Sequence, residues 1–69
     1  MDKLSARNQI KGRIVDVSKG ATTSHVRINI GRGVILTASI TNDAVAELGL
    51  GAGTEAWAVI KASDVMIGV

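Results

Sequence analysis

Cysteine is absent from this sequence and histidine occurs once, at His25. Without cysteine there are neither disulfides nor thiolate zinc sites, and a single imidazole cannot form the His cluster that would hold a metal. Phe and Tyr are also missing, which leaves Trp57 as the sole aromatic residue. A protein that binds single-stranded nucleic acid usually stacks bases on several aromatics, so that function has little to build on here. No apolar run approaches the roughly 18–20 residues of a membrane span, and the N-terminus lacks the apolar core of a signal peptide. A cytoplasmic location away from membranes is expected. Enzyme signatures are lacking too. His25 sits mid-strand with no nucleophile motif beside it, and the six carboxylates are dispersed. That pattern offers no acid–base pair and no calcium loop, so the protein is not expected to be an enzyme.

What is present is a short, apolar chain. A domain of 69 residues buries only about 60% of the surface its unfolded chain exposes. Folds this small usually rely on disulfides, a metal or oligomerisation, and the first two have just been removed. Hydrophobic residues make up 46% of the chain and the mean hydropathy is positive, so part of the apolar surface is expected to lie between subunits. No repeat, Pro-rich linker or low-complexity tract interrupts the sequence, which reads as one domain over residues 1–69. The net charge is +2. Five of the eight basic residues, Lys3, Arg7, Lys11, Arg13 and Lys19, fall in the first 19 positions, which should concentrate positive potential around the opening strand.

Period-2 alternation dominates the chain. The polar stretch Ser5–Gly12 leads into an apolar strand that runs to Val17, with a change of phase that predicts a bulge at Gly12 or at Ile14–Val15. Residues 21–24 read as a polar connection. His25–Ile30 alternates with Val26, Ile28 and Ile30 inward. Gly31-Arg32-Gly33 supplies a tight hairpin, and Val34–Ile40 returns with Val34, Leu36, Ala38 and Ile40 inward and Thr41 on the outward parity. Asn42 is a candidate cap for a short helix from Asp43, which Gly49 ends, with Val45 and Leu48 closing one end of a barrel. Glu55–Lys61 forms a fourth strand whose outward Trp57 and Val59 suit a subunit contact. Val65–Val69 reads as a fifth. Five strands with one short helix between the third and fourth predict an all-β, OB-like Greek-key barrel.

Oxyanion binding asks for N–H and O–H donors that converge with one or two cations away from bulk water. Ser5, Arg7, Thr41 and Lys61 supply such groups on outward positions, so a site built from them should lie in a surface cleft or between subunits. The competing expectation from an OB-like barrel is a nucleic-acid-binding module.

Ser5-Ala6-Arg7-Asn8-Gln9, Gly12, Ala38-Ser39-Ile40-Thr41, Leu48-Gly49-Leu50 and the run Ala58–Val65 together resemble the molbindins. These are molybdenum-pterin binding proteins built from a Mop domain of the transport-associated OB class, and the likeness spans Leu4 to Gly68. It implies a cytoplasmic homo-hexamer, a trimer of dimers with strands exchanged or extended between partners, that stores molybdate or tungstate for molybdenum homeostasis. It implies a pocket made by Ser5, the Ala6 backbone and Arg7 of one subunit with Thr41 and with Lys61, Ala62 and Ser63 of the adjoining subunit. The metal would be held as its oxyanion, with no side chain coordinating it directly and no catalytic cofactor. A second class of site near the symmetry axes is also implied, without residue assignments. A pterin ring would find little to stack on beyond Trp57.

Overall fold

The computed structural model describes residues 4–69; Lys3, counted above among the early basic residues, lies outside them. Its elements are β1 (Asn8–Lys19), β2 (Thr23–Asn29), β3 (Ile35–Thr41), α1 (Asn42–Leu48) and β4 (Glu55–Ile60), followed by a single 3-10 turn over Ala62–Asp64. The four strands make one curled antiparallel sheet in the order β3-β2-β1-β4.

The long strand β1 serves two partners. Its first half, Asn8 to Arg13, pairs with β4, and its second half, Arg13 to Lys19, pairs with β2. The expected bulge is present, as a register shift between Ile14 and Asp16. The turn before β4 buttresses it: the Ile14 N–H donates to the Thr54 carbonyl at 2.9 Å, and the Ile14 carbonyl accepts from the Gly53 N–H at 2.8 Å. An extra residue in one strand bends it and increases its twist, which lets one strand border two different neighbours. Gly12 marks the changeover, since a Cβ there would stand 2.5 Å from the Asn29 carbonyl oxygen and 2.9 Å from Ile28 Cγ1. Gly12→Ala should therefore destabilise the fold by about 1–3 kcal/mol, as overpacking does, read as a lower urea midpoint with an unchanged slope.

Alternation assigned most of the faces correctly, with the exception of Val34, which precedes β3 and is exposed rather than inward. Ile14, Val26 and Ile28 are the buried apolar side chains, and Leu36 and Ile40 join them half-buried from β3. The concave side they line, with Ala56, Ala58 and Ile60 of β4 and with Leu48 and Leu50 beyond the helix, encloses about 620 Å³ and stays open. Leu48 lines this space but is 68% exposed, so it does not plug the end as expected.

Three expectations need correction. Among the described residues the sheet has four strands, because Val65–Val69 does not join it and no fifth strand closes a barrel. Met66 and Ile67 are 92% and 87% exposed; an apolar segment becomes a strand only when an edge accepts its backbone hydrogen bonds. Second, β2 begins at Thr23, which takes Ser24 out of the supposed polar connection and into the interior. Third, the helix cap is Thr41, whose Oγ1 accepts from the Ala44 N–H at 3.1 Å, while Asn42 is the first helical residue. The helix ends as anticipated, at Gly49 in the left-handed conformation.

On the outer face, Arg27 and Asp16 pair across β1 and β2 beside the bulge. Arg27 Nε donates to both carboxylate oxygens, at 3.0 and 3.1 Å, and its Nη2 completes the fork. Those hydrogen bonds hold the Asp16 carboxyl below its ordinary pKa and raise that of Arg27. A carboxyl depressed by folding adds stability above its unfolded pKa, about 3.9, and loses that contribution as pH falls through the folded value. The gap in melting temperature between the native chain and Asp16→Asn should be full above about pH 5 and narrow as pH falls through and below the ordinary carboxylate range.

Candidate functional site

The two ends of the β1–β4 ladder differ in chemistry. At one end Arg13 faces Glu55; at the other Asn8 faces Ile60, and Asn8 Nδ2 donates to the Ile60 carbonyl at 3.2 Å. Ser5, Ala6 and Arg7 precede β1, in a bent segment rather than on a strand face as the alternation implied. Gln9 Nε2 braces that segment by donating to the Ala6 carbonyl at 3.3 Å. Lys61, Ala62 and Ser63 follow β4 directly. Lys61 is not the last strand residue but the extended residue that leads into the 3-10 turn, and its carbonyl accepts from the Asp64 N–H at 2.9 Å. Both segments thus leave the same ladder end within a single chain, whereas the resemblance implies that Lys61, Ala62 and Ser63 reach Ser5–Arg7 from an adjoining subunit.

Their chemistry is that of donors. Ser5, Arg7, Lys61, Ala62 and Ser63 are exposed and Ala6 is half-buried. The opening of a helical turn leaves its first N–H groups without an internal acceptor, and here those belong to Ala62 and Ser63. Among the described residues, neither Arg7 nor Lys61 has a carboxylate within ion-pairing distance. Lys11 and Arg13 do not share this freedom. Glu55 stands 3.4 Å from Lys11 Nζ and 3.9 Å from an Arg13 guanidinium nitrogen, and Arg13 also donates to the Gly53 carbonyl at 2.8 Å. These two cations border an open notch of about 450 Å³ with Asn29, Ile30 and Gly31, so the positive charge expected around the opening strand is already partly neutralised there.

Thr41 stands apart. It ends β3, the edge strand opposite β4, and pairs with Thr23 next to the far end of β1. No hydrogen bond joins it to either donor segment among the described residues. Its cap bond uses Oγ1 as an acceptor, which leaves the O–H available to donate. The sequence reading missed what surrounds it. Ser24 is 1% exposed, and its hydroxyl donates to Asn42 Oδ1 at 2.5 Å. Asn42 Nδ2 donates to the Gly20 carbonyl at 3.1 Å, and the Asn42 N–H donates to Thr22 at 2.9 Å. The clue was Ser24 falling on the inward parity with Val26 and Ile28.

Residues 4–67 match the TOBE domain family. A probable molybdenum-pterin-binding protein of Haemophilus influenzae is 48% identical over 67 residues, which cover 97% of each chain. Among solved structures, MopII from Clostridium pasteurianum superposes with a TM-score of 0.90 at 45% identity, covering 97% of this chain and all of that one. The molybdate-bound form of the cytoplasmic molybdate-binding protein ModG gives a TM-score of 0.93 at 45% identity, over 97% of this chain and 48% of that one. The chain belongs to the TOBE domain family and, within it, to the molbindins, the molybdenum-pterin-binding proteins that its motifs resemble.

Proposed function

We propose that this protein binds molybdate or tungstate in pockets between subunits of a homo-hexamer and serves as a cytoplasmic store that buffers molybdenum. The observation that carries this reading is the meeting, at one ladder end, of Ser5–Arg7 with Lys61–Ser63, with neither cation paired to a carboxylate among the described residues. Molybdate and tungstate are tetrahedral dianions with acceptors and no donors. Lys61 and Arg7 supply charge, Ser5, Thr41 and Ser63 supply hydroxyls, and Ala6 and Ala62 supply main-chain N–H groups. The oxygens take every contact, so no side chain reaches the metal.

Thr41 is the reason for a second subunit. It sits on the opposite edge strand, so a pocket that contains it together with the other two segments draws on an adjoining copy. The open concave face and the exposed Trp57, Val59, Met66 and Ile67 give the copies apolar surface to bury, in the manner of strands exchanged or extended between partners. An oligomer of this kind closes the five-stranded barrel that one chain leaves incomplete.

Charge-assisted hydrogen bonds contribute roughly 1.5–3 kcal/mol each, and micromolar affinity needs about 8 kcal/mol net. A handful of them suffices after ordering and desolvation costs. Sulfate is excluded by size, because a pocket fitted to the longer metal–oxygen bonds leaves it short of donors. Protonated phosphate brings a hydrogen that an all-donor site cannot accept.

Native mass spectrometry with parallel calorimetric titrations of molybdate, tungstate, sulfate and a short oligonucleotide tests the reading. A hexamer that binds the first two and ignores the others is expected. A monomer that binds molybdate refutes the shared pocket, and binding of the oligonucleotide alone returns the chain to the nucleic-acid class.

A further inference from the structure

The deepest side chain among the described residues is polar. Ser24 is 1% exposed, more buried than Ile14, Val26 or Ile28. A buried hydroxyl is costly unless it is hydrogen-bonded, and Ser24 spends its bond on Asn42 Oδ1 at 2.5 Å. Asn42 in turn makes three bonds at once, two to the β1–β2 connection and one to β2. Its side-chain N–H reaches Gly20 in the β1–β2 connection at 3.1 Å, its backbone N–H reaches Thr22 at 2.9 Å, and its carboxamide oxygen accepts from Ser24 in β2. All three bonds converge on the residue immediately after Thr41.

We propose that the Ser24–Asn42 pair positions Thr41, setting the direction in which its hydroxyl donates to the bound oxyanion. The inference rests on Thr41 lining the pocket, as proposed above. Thr41 is held from both sides. Its register with Thr23 fixes the end of β3, the Ala44 N–H occupies one lone pair of Oγ1, and Asn42 anchors the strand-to-helix joint that follows. With one lone pair taken and the backbone pinned, the O–H has few directions left. A size-selective pocket needs that restriction, because a hydroxyl free to swing inward would reach the smaller sulfate as well. An apolar residue at position 24 would bury as readily, but it could not determine the orientation of the joint. A fully satisfied buried polar contact specifies one arrangement where apolar packing tolerates several.

The test is a double-mutant cycle on binding, read by calorimetric titration with molybdate and with sulfate, at a temperature where circular dichroism and native mass spectrometry show every variant folded and assembled. Ser24→Ala is expected to weaken molybdate binding about fivefold and to narrow the molybdate-to-sulfate ratio. In a Thr41→Ala background the same change should have no further effect, because the group it positions is gone. Asn42→Ala should follow the same pattern, and if one of the two variants fails to fold the other completes the cycle. Ser24→Thr, which keeps the hydroxyl, should restore the ratio. Equal losses with and without Thr41, or unchanged affinity in both Ser24→Ala and Asn42→Ala, overturn the positioning role while leaving Thr41 in the pocket. If Thr41→Ala alone leaves affinity unchanged, Thr41 is not a ligand and the positioning role falls with it; Lys61→Ala then reports separately on the rest of the pocket.

Discussion

Replacing Lys61 with alanine is expected to weaken molybdate binding about tenfold or more while leaving the oligomer assembled. Lys61 leads out of β4 into the 3-10 turn, fully on the surface, and among the described residues it has no carboxylate partner. Its ammonium is therefore not committed to a structural ion pair, and its removal subtracts from the ligand rather than from the fold. A charge-assisted hydrogen bond contributes roughly 1.5–3 kcal/mol, which converts to about 10- to 150-fold in affinity. Lys11 provides the control. It lies on the same face of the β1–β4 ladder opposite Trp57, but Glu55 holds it at 3.4 Å, so Lys11→Ala should leave affinity within about twofold of the native value, an exposed pair being worth little. Calorimetric titration separates the two. Unchanged affinity in Lys61→Ala would remove Lys61 from the pocket.

Trp57→Glu should break the assembly and, with it, oxyanion binding. Trp57 is 45% exposed on the outer face of an edge strand, and Val59, its neighbour on that face, is 43% exposed. A surface tryptophan next to a surface valine has no role in the core of its own chain. Buried between subunits, a tryptophan is the kind of anchor that dominates interface energetics, with losses of 2 kcal/mol or more on truncation being roughly typical. Glutamate adds the cost of burying a carboxylate, and it places that charge beside Glu55 on the same strand. Native mass spectrometry should show the population shifted from the proposed hexamer to smaller species, with molybdate affinity falling in parallel, as a pocket shared between copies requires. The far-ultraviolet circular dichroism should stay unchanged, since Trp57 occupies an exposed position of β4 and the half-buried positions belong to Ala56, Ala58 and Ile60. A variant that remains hexameric takes Trp57 out of the interface. A variant that dissociates yet binds molybdate as tightly as before would show that one chain holds the whole site.

Much of the strand layout was legible because alternation is local. Val26 and Ile28 of β2 and Leu36 and Ile40 of β3 point inward as their spacing requires, and the bulge at Ile14–Val15 announced itself as a change of phase. The glycine turns were legible for the same reason: Gly31 and Gly33 adopt positive φ at the hairpin, and Gly49 does so at the helix end. The cap was misread because Thr and Asn are both good N-cap residues, and local propensity cannot choose between neighbours. The choice was made by Ser24, eighteen positions away, which engages the Asn42 side chain and leaves capping to Thr41. Ser24 itself was assigned to a loop because serine is polar and follows two threonines. Only its partner explains why it is buried.

The sequence by itself determined that this is a small β-rich chain with more apolar surface than one copy can bury, and its motifs carried the family. It also supplied the donors, Ser5, Arg7, Thr41, Lys61 and Ser63, as residue types. Tertiary structure decided where they stand. The antiparallel register that sets Asn8 against Ile60 brings the segments on either side of the β1–β4 ladder to a common end, although more than fifty residues separate them in the chain. The same strand order puts Thr41 on the other edge. Register is a non-local property, set by which hydrophobic faces can be buried together, and Val65–Val69 shows the converse. Its alternation is as regular as that of a strand, but no edge of its own sheet receives it.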